Sequence, residues 1–119
     1  MANLRLKNIK KSFAGQIALD NLNLDIEDGE FFVILGHTGA GKTTILRCIA
    51  GLEQPEQGEI YMDDELISNL SPATRDVAFV FQEHILYPHM TVYENMAFPL
   101  RPRGHSESAI NSRVVEIAE

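Results

Sequence analysis

Residues Gly36 to Thr43 fit the spacing G-x-x-x-x-G-K-[ST], which is typical of loops that bind phosphate groups. Its glycines let the backbone curl so that successive N–H groups face a phosphate without a side chain in the way. Lys42 provides an ammonium group for the β- and γ-phosphates, and Thr43 provides a hydroxyl for Mg²⁺. The pattern therefore predicts a Mg·ATP site, whereas a glycine turn that only caps a helix would not require a lysine followed by two threonines. The residues assigned to this site are Gly36, His37, Thr38, Gly39, Ala40, Gly41, Lys42, Thr43 and Thr44.

Such a loop needs a strand before it and a helix after it. Residues 31–35 and 77–81 are apolar without alternation, which predicts two parallel strands of an α/β sheet covered on both faces. After Lys42, apolar residues recur with helical spacing, and Gly51 lies where a left-handed C-terminal cap is expected. The residues predicted to share the apolar helix face are Ile45, Leu46, Ile49 and Ala50.

Alternating patterns elsewhere in the chain predict further strands. Residues 4–7 and 22–26 alternate apolar and polar side chains, which indicates two half-exposed, antiparallel strands, and residues 58–62 predict another strand. The acidic residues 63–65 suit a solvated turn, with a metal site as the alternative.

Two helices are predicted near the end of the chain. Thr91 can cap a helix through Ala97, and Ser106 can cap another that carries an apolar stripe without an obvious partner. That stripe consists of Ile110, Val114 and Ile117.

Composition narrows the function classes. The chain has 119 residues and a net charge of -7, which argues against binding of the polyanionic nucleic-acid backbone. Cys48 is predicted to be a small core residue. Because a single cysteine cannot form an internal disulfide and no secretory leader pattern is present, a reducing compartment is expected. No apolar run reaches the roughly 18 residues needed to span a bilayer, so membrane contact is expected through a partner and not by direct insertion.

Several further segments together resemble the nucleotide-binding subunits of ABC transporters. In this resemblance, residues 36–44 are the Walker A loop, residues 49–52, 55 and 58–60 match the run that follows it, and Val80-Phe81-Gln82 is similar to the strand and glutamine of the Q-loop. Residues 86–92 and 94–100 are similar to the subgroup that powers maltose-type and glycerol-3-phosphate-type importers. The resemblance implies an α/β P-loop NTPase core, here partial, with an N-terminal antiparallel β subdomain and the start of a helical subdomain.

The resemblance also implies roles for single residues. Phe13 would stack on adenine, with a plain core phenylalanine as the alternative. Gln82 would contact Mg²⁺ together with Thr43 and support the attacking water, with a surface glutamine as the alternative. Residues 84–100 would meet the membrane-spanning subunits, with Tyr87 and Met90 as apolar contacts or ordinary core residues. A second ATPase subunit would complete a homodimer on the cytoplasmic face of the cell membrane.

The expected domain organisation follows from the same resemblance. The β subdomain is assigned to residues 1–30 and 58–70, the P-loop core to 31–52 and 75–82, and the Q-loop with the helical subdomain to 83–119. The signature motif, the acidic Walker B strand, the catalytic glutamate and the switch histidine do not occur in the sequence, so the chain alone is expected to bind ATP better than it hydrolyses it. It is also expected to be marginally stable or self-associating.

Three alternatives to the transport function stay open. They are a nucleotide-binding module that does not hydrolyse ATP, an ABC-type ATPase of DNA repair or translation without a membrane partner, and a small-molecule kinase with the same loop. Residues 87–100, which are similar to transporter subunits, and the acidic charge weigh against the second alternative, and the strand pair within residues 4–26 weighs against the third.

Overall fold

The computed structural model describes residues 2–83 and 85–119, and it divides into two compact units. The first unit ends at Phe79 and the second runs from Val80 to Glu119. His84, which belongs to the predicted docking stretch, lies outside the described residues.

The first unit contains a four-stranded antiparallel sheet with the order β2-β1-β3-β4. Its strands are Leu4–Phe13 (β1), Gln16–Ile26 (β2), Gln57–Met62 (β3) and Glu65–Leu66 (β4). In the pairing of β1 with β2, Leu6 lies opposite Leu24 and Phe13 opposite Gln16. The predicted N-terminal strand pair and the predicted strand at 58–62 are therefore both present. A short 3-10 helix, Pro72–Thr74, follows the sheet.

Two-residue turns close both hairpins of this sheet. Ala14 and Gly15 join β1 to β2 with φ of 48° and 81°, and Asp63 and Asp64 join β3 to β4 with φ of 49° and 63°. Two successive positive φ values are the geometry that matches the twist of paired strands. The Asp63 carboxylate also accepts a hydrogen bond from the Asn3 backbone N–H at 2.9 Å, so the acidic triplet serves a turn.

Helix α1, Lys42–Ala50, packs its apolar face on the sheet. The prediction for this face was wrong at Leu46, which is 48% exposed, because Cys48 takes the buried position three residues after Ile45. Cys48 is fully buried, as predicted, and Gly51 ends the helix with φ of 77°. The core of the unit consists of Leu6, Ile9, Leu19, Ile45, Cys48, Ile49, Ile60 and Ile67.

The two predicted parallel strands are absent from the described part of the chain. Residues 31–35 and 77–81 have no strand structure, and Phe31, Leu35 and Val80 are 93%, 87% and 94% exposed. The prediction of strands buried on both faces is therefore wrong for this chain. A strand needs a neighbour that pairs with its backbone, and the four strands of the sheet pair only with one another.

The second unit is helical. It contains α2, Val92–Ala97, a 3-10 turn, Phe98–Leu100, and α3, Glu107–Ala118. As predicted, Thr91 caps α2, here in a reciprocal capping box with Glu94, and the Ser106 hydroxyl caps α3 by accepting from the Ala109 N–H. None of the helices in residues 2–83 and 85–119 is long and apolar enough to cross a membrane.

The apolar stripe of α3 packs against α2. Ile110 and Val114 are buried against Ala97 of α2, which corrects the expectation that this stripe lacked a contact surface. Ile117, the third residue of the stripe, stays 59% exposed. Tyr93, Met96 and Leu100 complete this small core.

Candidate phosphate-binding site

The loop before α1 has the sharp curvature that its glycines predict. Gly39 and Gly41 take positive φ values of 82° and 89°, and the Ala40 N–H donates to the His37 carbonyl at 3.2 Å. Only glycine adopts such angles without steric cost. The loop therefore folds back on itself just before the helix begins at Lys42.

The N-terminal end of α1 presents backbone donors. Its first i to i−4 bond runs from the Ile45 N–H to the Gly41 carbonyl at 3.0 Å, so the N–H groups of Lys42, Thr43 and Thr44 precede any acceptor within the helix. In the described part of the chain, no side chain caps this end. Unbonded N–H groups and the positive end of the helix dipole together attract an anion such as a phosphate.

The Lys42 ammonium lies over the same loop. Its Nζ donates to the Gly36 carbonyl at 2.7 Å and to the His37 carbonyl at 2.6 Å. An ammonium group has three protons, so one donor remains for a phosphate oxygen while two hold the loop. Lys42 thus carries a positive charge to the point where the helix donors converge.

An open cleft of about 450 Å³ adjoins this loop. Phe13 is 45% exposed and lies at the cleft, and Thr43 and Thr44 lie at its phosphate-loop side. The cleft is lined by Phe13, Gln16, Ile17, Ala18, Gly39, Gly41, Lys42, Thr43 and Thr44. An aromatic ring, an ammonium, two hydroxyls and backbone donors therefore border one cavity, which suits a molecule with a flat base and several phosphates.

The other predicted site residues lie outside the cleft lining. The carbonyl oxygens of Gly36 and His37 accept hydrogen bonds from the Lys42 ammonium. Thr38 and Ala40 are exposed in the loop. His37 also places its Nδ1 2.8 Å from the Thr38 carbonyl oxygen, which requires the proton to be on Nδ1.

Gln82 is exposed and belongs to the second unit. Its role at Mg²⁺ and the attacking water therefore stays a prediction.

Sequence reasoning missed the contribution of β2 to the cleft. Gln16, Ile17 and Ala18 line it because the tight turn at Ala14 and Gly15 returns the chain beside Phe13. The local signal was weak, since Gly15 favours positive φ but Ala14 does not, and tight two-residue turns usually carry Asn-Gly, Asp-Gly or Gly-Gly.

Gly41→Ala is expected to damage the loop more than Gly39→Ala does. Both glycines have positive φ, but an added Cβ at residue 41 would lie 2.5 Å from the Ala18 carbonyl oxygen, whereas at residue 39 it meets nothing within 4 Å. The backbone strain is common to both variants, at about 1 kcal/mol or more. Only Gly41→Ala must also push the loop away from β2, so we expect it to lower affinity for inorganic triphosphate by roughly tenfold relative to Gly39→Ala.

Titration calorimetry with inorganic triphosphate and thermal melts of the two variants measure this difference. Equal losses in both variants would mean that positive φ, and not contact with β2, explains the glycine at residue 41.

The fold and the site together define the class of protein. Residues 19–119 match the family model described as ABC transporter, and the chain belongs to this family. A solved dimeric ATP-binding cassette, MJ0796 in a post-hydrolysis state bound to ADP and Pi, is 35% identical, with a TM-score of 0.82 over 95% of this chain and 54% of that chain. A nucleotide-free ATP-binding cassette from an ABC transporter is 30% identical, with a TM-score of 0.75 over 92% of this chain and 45% of that one. The predicted ABC ATPase fold class is thereby confirmed.

Individual relatives are importer subunits by name. The osmoprotective compounds uptake ATP-binding protein GgtA of Synechocystis sp. is 50% identical over 100% of this chain. The sn-glycerol-3-phosphate import ATP-binding protein UgpC of Cupriavidus necator is 49% identical over 96% of it, and the trehalose/maltose import ATP-binding protein MalK of Thermococcus litoralis is 47% identical over 100%. The chain covers 33%, 31% and 34% of these three relatives, about a third of their length. The predicted resemblance to importer ATP-binding subunits is confirmed.

Proposed function

We propose that this chain binds Mg·ATP in the cleft beside residues 36–44, as part of the ATPase subunit that powers an ABC importer, with a carbohydrate-type solute as cargo. The observation that carries the proposal is the convergence of the first backbone N–H groups of α1 and the Lys42 ammonium on one glycine loop. This arrangement concentrates positive potential in a chain whose net charge is -7. A local device of this kind is what an acidic protein needs in order to hold a triphosphate.

The residues at the cleft fit both ends of ATP. Backbone N–H groups and Lys42 suit the phosphates, and the half-exposed ring of Phe13 suits the face of a purine. Because Phe13 is 45% exposed, the interpretation as a base-stacking residue is favoured over a core phenylalanine. We propose that Gly36, His37, Thr38 and Ala40 also belong to the nucleotide-binding site, since they form the loop that curves beside the phosphates.

Mg²⁺ prefers oxygen ligands, and the Thr43 hydroxyl at the cleft provides one. We assign Thr43 to the metal, and the role of Gln82 there is carried over from the family resemblance. When bound, the ion would neutralise charge on the β- and γ-phosphates. Thr43 would hold it at the helix start, and the neutral amide of Gln82 would orient a water without adding charge.

Titration of ATP with and without Mg²⁺ tests this function. We expect Mg²⁺ to raise the ATP affinity of the chain by roughly tenfold, since one charge-assisted contact is worth about 1.5–3 kcal/mol. Thr43→Val should lose most of that increase because valine keeps the shape and removes the oxygen. Thr44→Val is the comparison variant, since Thr44 borders the same cleft without a metal assignment.

The absence of ATP binding by the wild-type chain would refute the proposal. An equal Mg²⁺ effect in the Thr43 and Thr44 variants would refute the metal assignment alone.

The stretch 84–100, of which the structure describes residues 85–100, is our proposed contact with the membrane-spanning subunits. Ile85 and Leu86 are 65% and 70% exposed, and the loop that follows them is held in shape by the Asn95 amide. Asn95 Nδ2 donates to the carbonyls of Met90 at 3.1 Å and Thr91 at 2.9 Å, and Asn95 Oδ1 accepts from the Tyr87 N–H at 2.8 Å. A fixed loop with exposed apolar side chains suits a protein partner.

Exposure distinguishes the two residues that were predicted as apolar contacts in this stretch. Tyr87 is 45% exposed and packs its ring at 4.9 Å from that of Phe98, while Met90 is half-buried. Tyr87 is thus the more accessible of the two predicted partner contacts.

The complete subunit is proposed to act as a homodimer on the cytoplasmic face of the membrane. The solved cassettes named above include a dimer, which supports this assembly. The assigned subdomains, at 1–30 with 58–70, at 31–52 with 75–82, and at 83–119, remain our proposal for the domain organisation.

A further inference from the structure

The Lys11 ammonium lies against the ring of Phe13. Its Nζ is 5.0 Å from the ring centroid, within the roughly 6 Å over which a cation is attracted to an aromatic face. Two acceptors hold the ammonium there: the Glu53 carboxylate at 2.9 Å and the Gln54 carbonyl at 3.0 Å. The hydrogen bond to Glu53 raises the pKa of Lys11 and so stabilises its ammonium form.

This ion pair is better shielded than the surface pairs elsewhere in the unit. The side chains of Lys11 and Glu53 are 14% and 24% exposed, whereas those of Arg5 and Asp25 are 46% and 74% exposed. Reduced exposure strengthens a charge interaction because less water screens it. The ion pair with Glu53 therefore holds the Lys11 ammonium in place, and the ammonium in turn holds the Phe13 ring.

A second carboxylate holds the adjacent backbone. Glu56 accepts from the Ser12 N–H at 3.0 Å and from the Ser12 hydroxyl, and these bonds lower the pKa of Glu56. The Glu56 N–H in turn donates to the Lys10 carbonyl at 2.8 Å. Residues 53–56 follow α1, so the end of β1 that carries Phe13 is joined to the segment that leaves the phosphate-loop helix.

We propose that Lys11, anchored by Glu53, is a positioning residue that holds the Phe13 ring at the cleft and prepares it to stack on a purine. This inference rests on the proposed nucleotide function. The face of an aromatic ring is electron-rich, and a cation on one side draws density away from the other. The opposite side then repels an electron-rich purine less. Lys11 would thus favour nucleotides over phosphate compounds that lack a base.

The test compares ATP with inorganic triphosphate, which has no base. Affinities for both are measured by titration calorimetry for the wild type, Lys11→Met, Phe13→Ala and the double variant. We expect Lys11→Met to weaken ATP binding about 3- to 5-fold, to leave triphosphate binding unchanged, and to have no further effect in the Phe13→Ala background. Lys11→Arg, which keeps the charge, should restore most of the ATP affinity.

Lys7→Met is the matched control. Lys7 lies on the same strand with its Nζ 4.9 Å from the Tyr61 ring, and Tyr61 is not among the residues that line the cleft. Lys7→Met removes the same charge and the same kind of ring contact as Lys11→Met. Because its ring contact is not at the cleft, the ATP affinity of this variant should stay at the wild-type value.

Three results would overturn the inference. ATP affinity unchanged in Lys11→Met would do so, as would equal losses for ATP and triphosphate, or a further loss when Phe13 is already alanine. If the wild type binds neither ligand, the proposed function fails as well. Binding of ATP with no difference at Lys11 refutes only the role of Lys11.

Discussion

Arg75→Met is expected to lower the free energy of unfolding of the first unit by roughly 3–5 kcal/mol. Arg75 is only 2% exposed, and its guanidinium donates to four carbonyls. Two belong to the end of α1, Cys48 at 2.8 Å and Ile49 at 3.1 Å, and two lie further along, Ser68 at 2.9 Å and Leu70 at 3.0 Å. Methionine fills similar space but has no donor, so the carbonyls would be left buried without these bonds.

Urea unfolding monitored by circular dichroism measures this effect. Arg47→Met is the control, since Arg47 also lies in the last turn of α1 but is only half-buried, whereas Arg75 is 2% exposed. We expect that control to change stability by less than about 1 kcal/mol. If both variants unfold at the same urea concentration, Arg75 does not hold the helix end in the way its contacts indicate.

Lys42→Ala is expected to weaken ATP binding by roughly 10- to 100-fold. One charge-assisted hydrogen bond to a phosphate contributes about 1.5–3 kcal/mol, and each 1.4 kcal/mol corresponds to about a factor of ten. The loop also loses the bonds from Nζ to the Gly36 and His37 carbonyls, which hold its curvature. The affinity therefore falls both because a donor to the phosphate is missing and because the loop is less ordered.

Lys10→Ala provides the control for net charge. It removes one positive charge from the same unit, and Lys10 is not among the residues that line the cleft. Titration calorimetry with Mg·ATP should separate the two variants clearly. Equal affinity of wild type and Lys42→Ala would contradict the phosphate site on which the whole functional proposal depends.

Gly51 illustrates how far local sequence signals reach. Its position after the last apolar residue of α1 predicted a left-handed cap, and it has φ of 77° with its N–H directed to the Arg47 and Cys48 carbonyls. The structure adds a reason that no local pattern contains. A Cβ on residue 51 would lie 2.7 Å from Nε of Arg75, so glycine also leaves space for the buried guanidinium.

Features that depend only on neighbouring residues could be predicted before the structure was known. The glycine loop with Lys42, the caps at Thr91 and Ser106, and the alternating strands at the start of the chain all follow from the backbone angles and side-chain spacing of a few adjacent residues. These preferences act within one turn or one strand, so they are visible without knowing what packs where.

Features that need a partner far away in the sequence became visible only in the folded chain. Residues 31–35 are as apolar as any buried strand, yet no strand in the described part of the chain pairs with them, and they remain irregular. The contact of Lys11 with Glu53 and Phe13, and the bonds from Arg75 to α1, join residues that the sequence places up to 42 positions apart. Charge, hydrogen bonding and strand pairing act through space, so only the folded chain shows which groups meet.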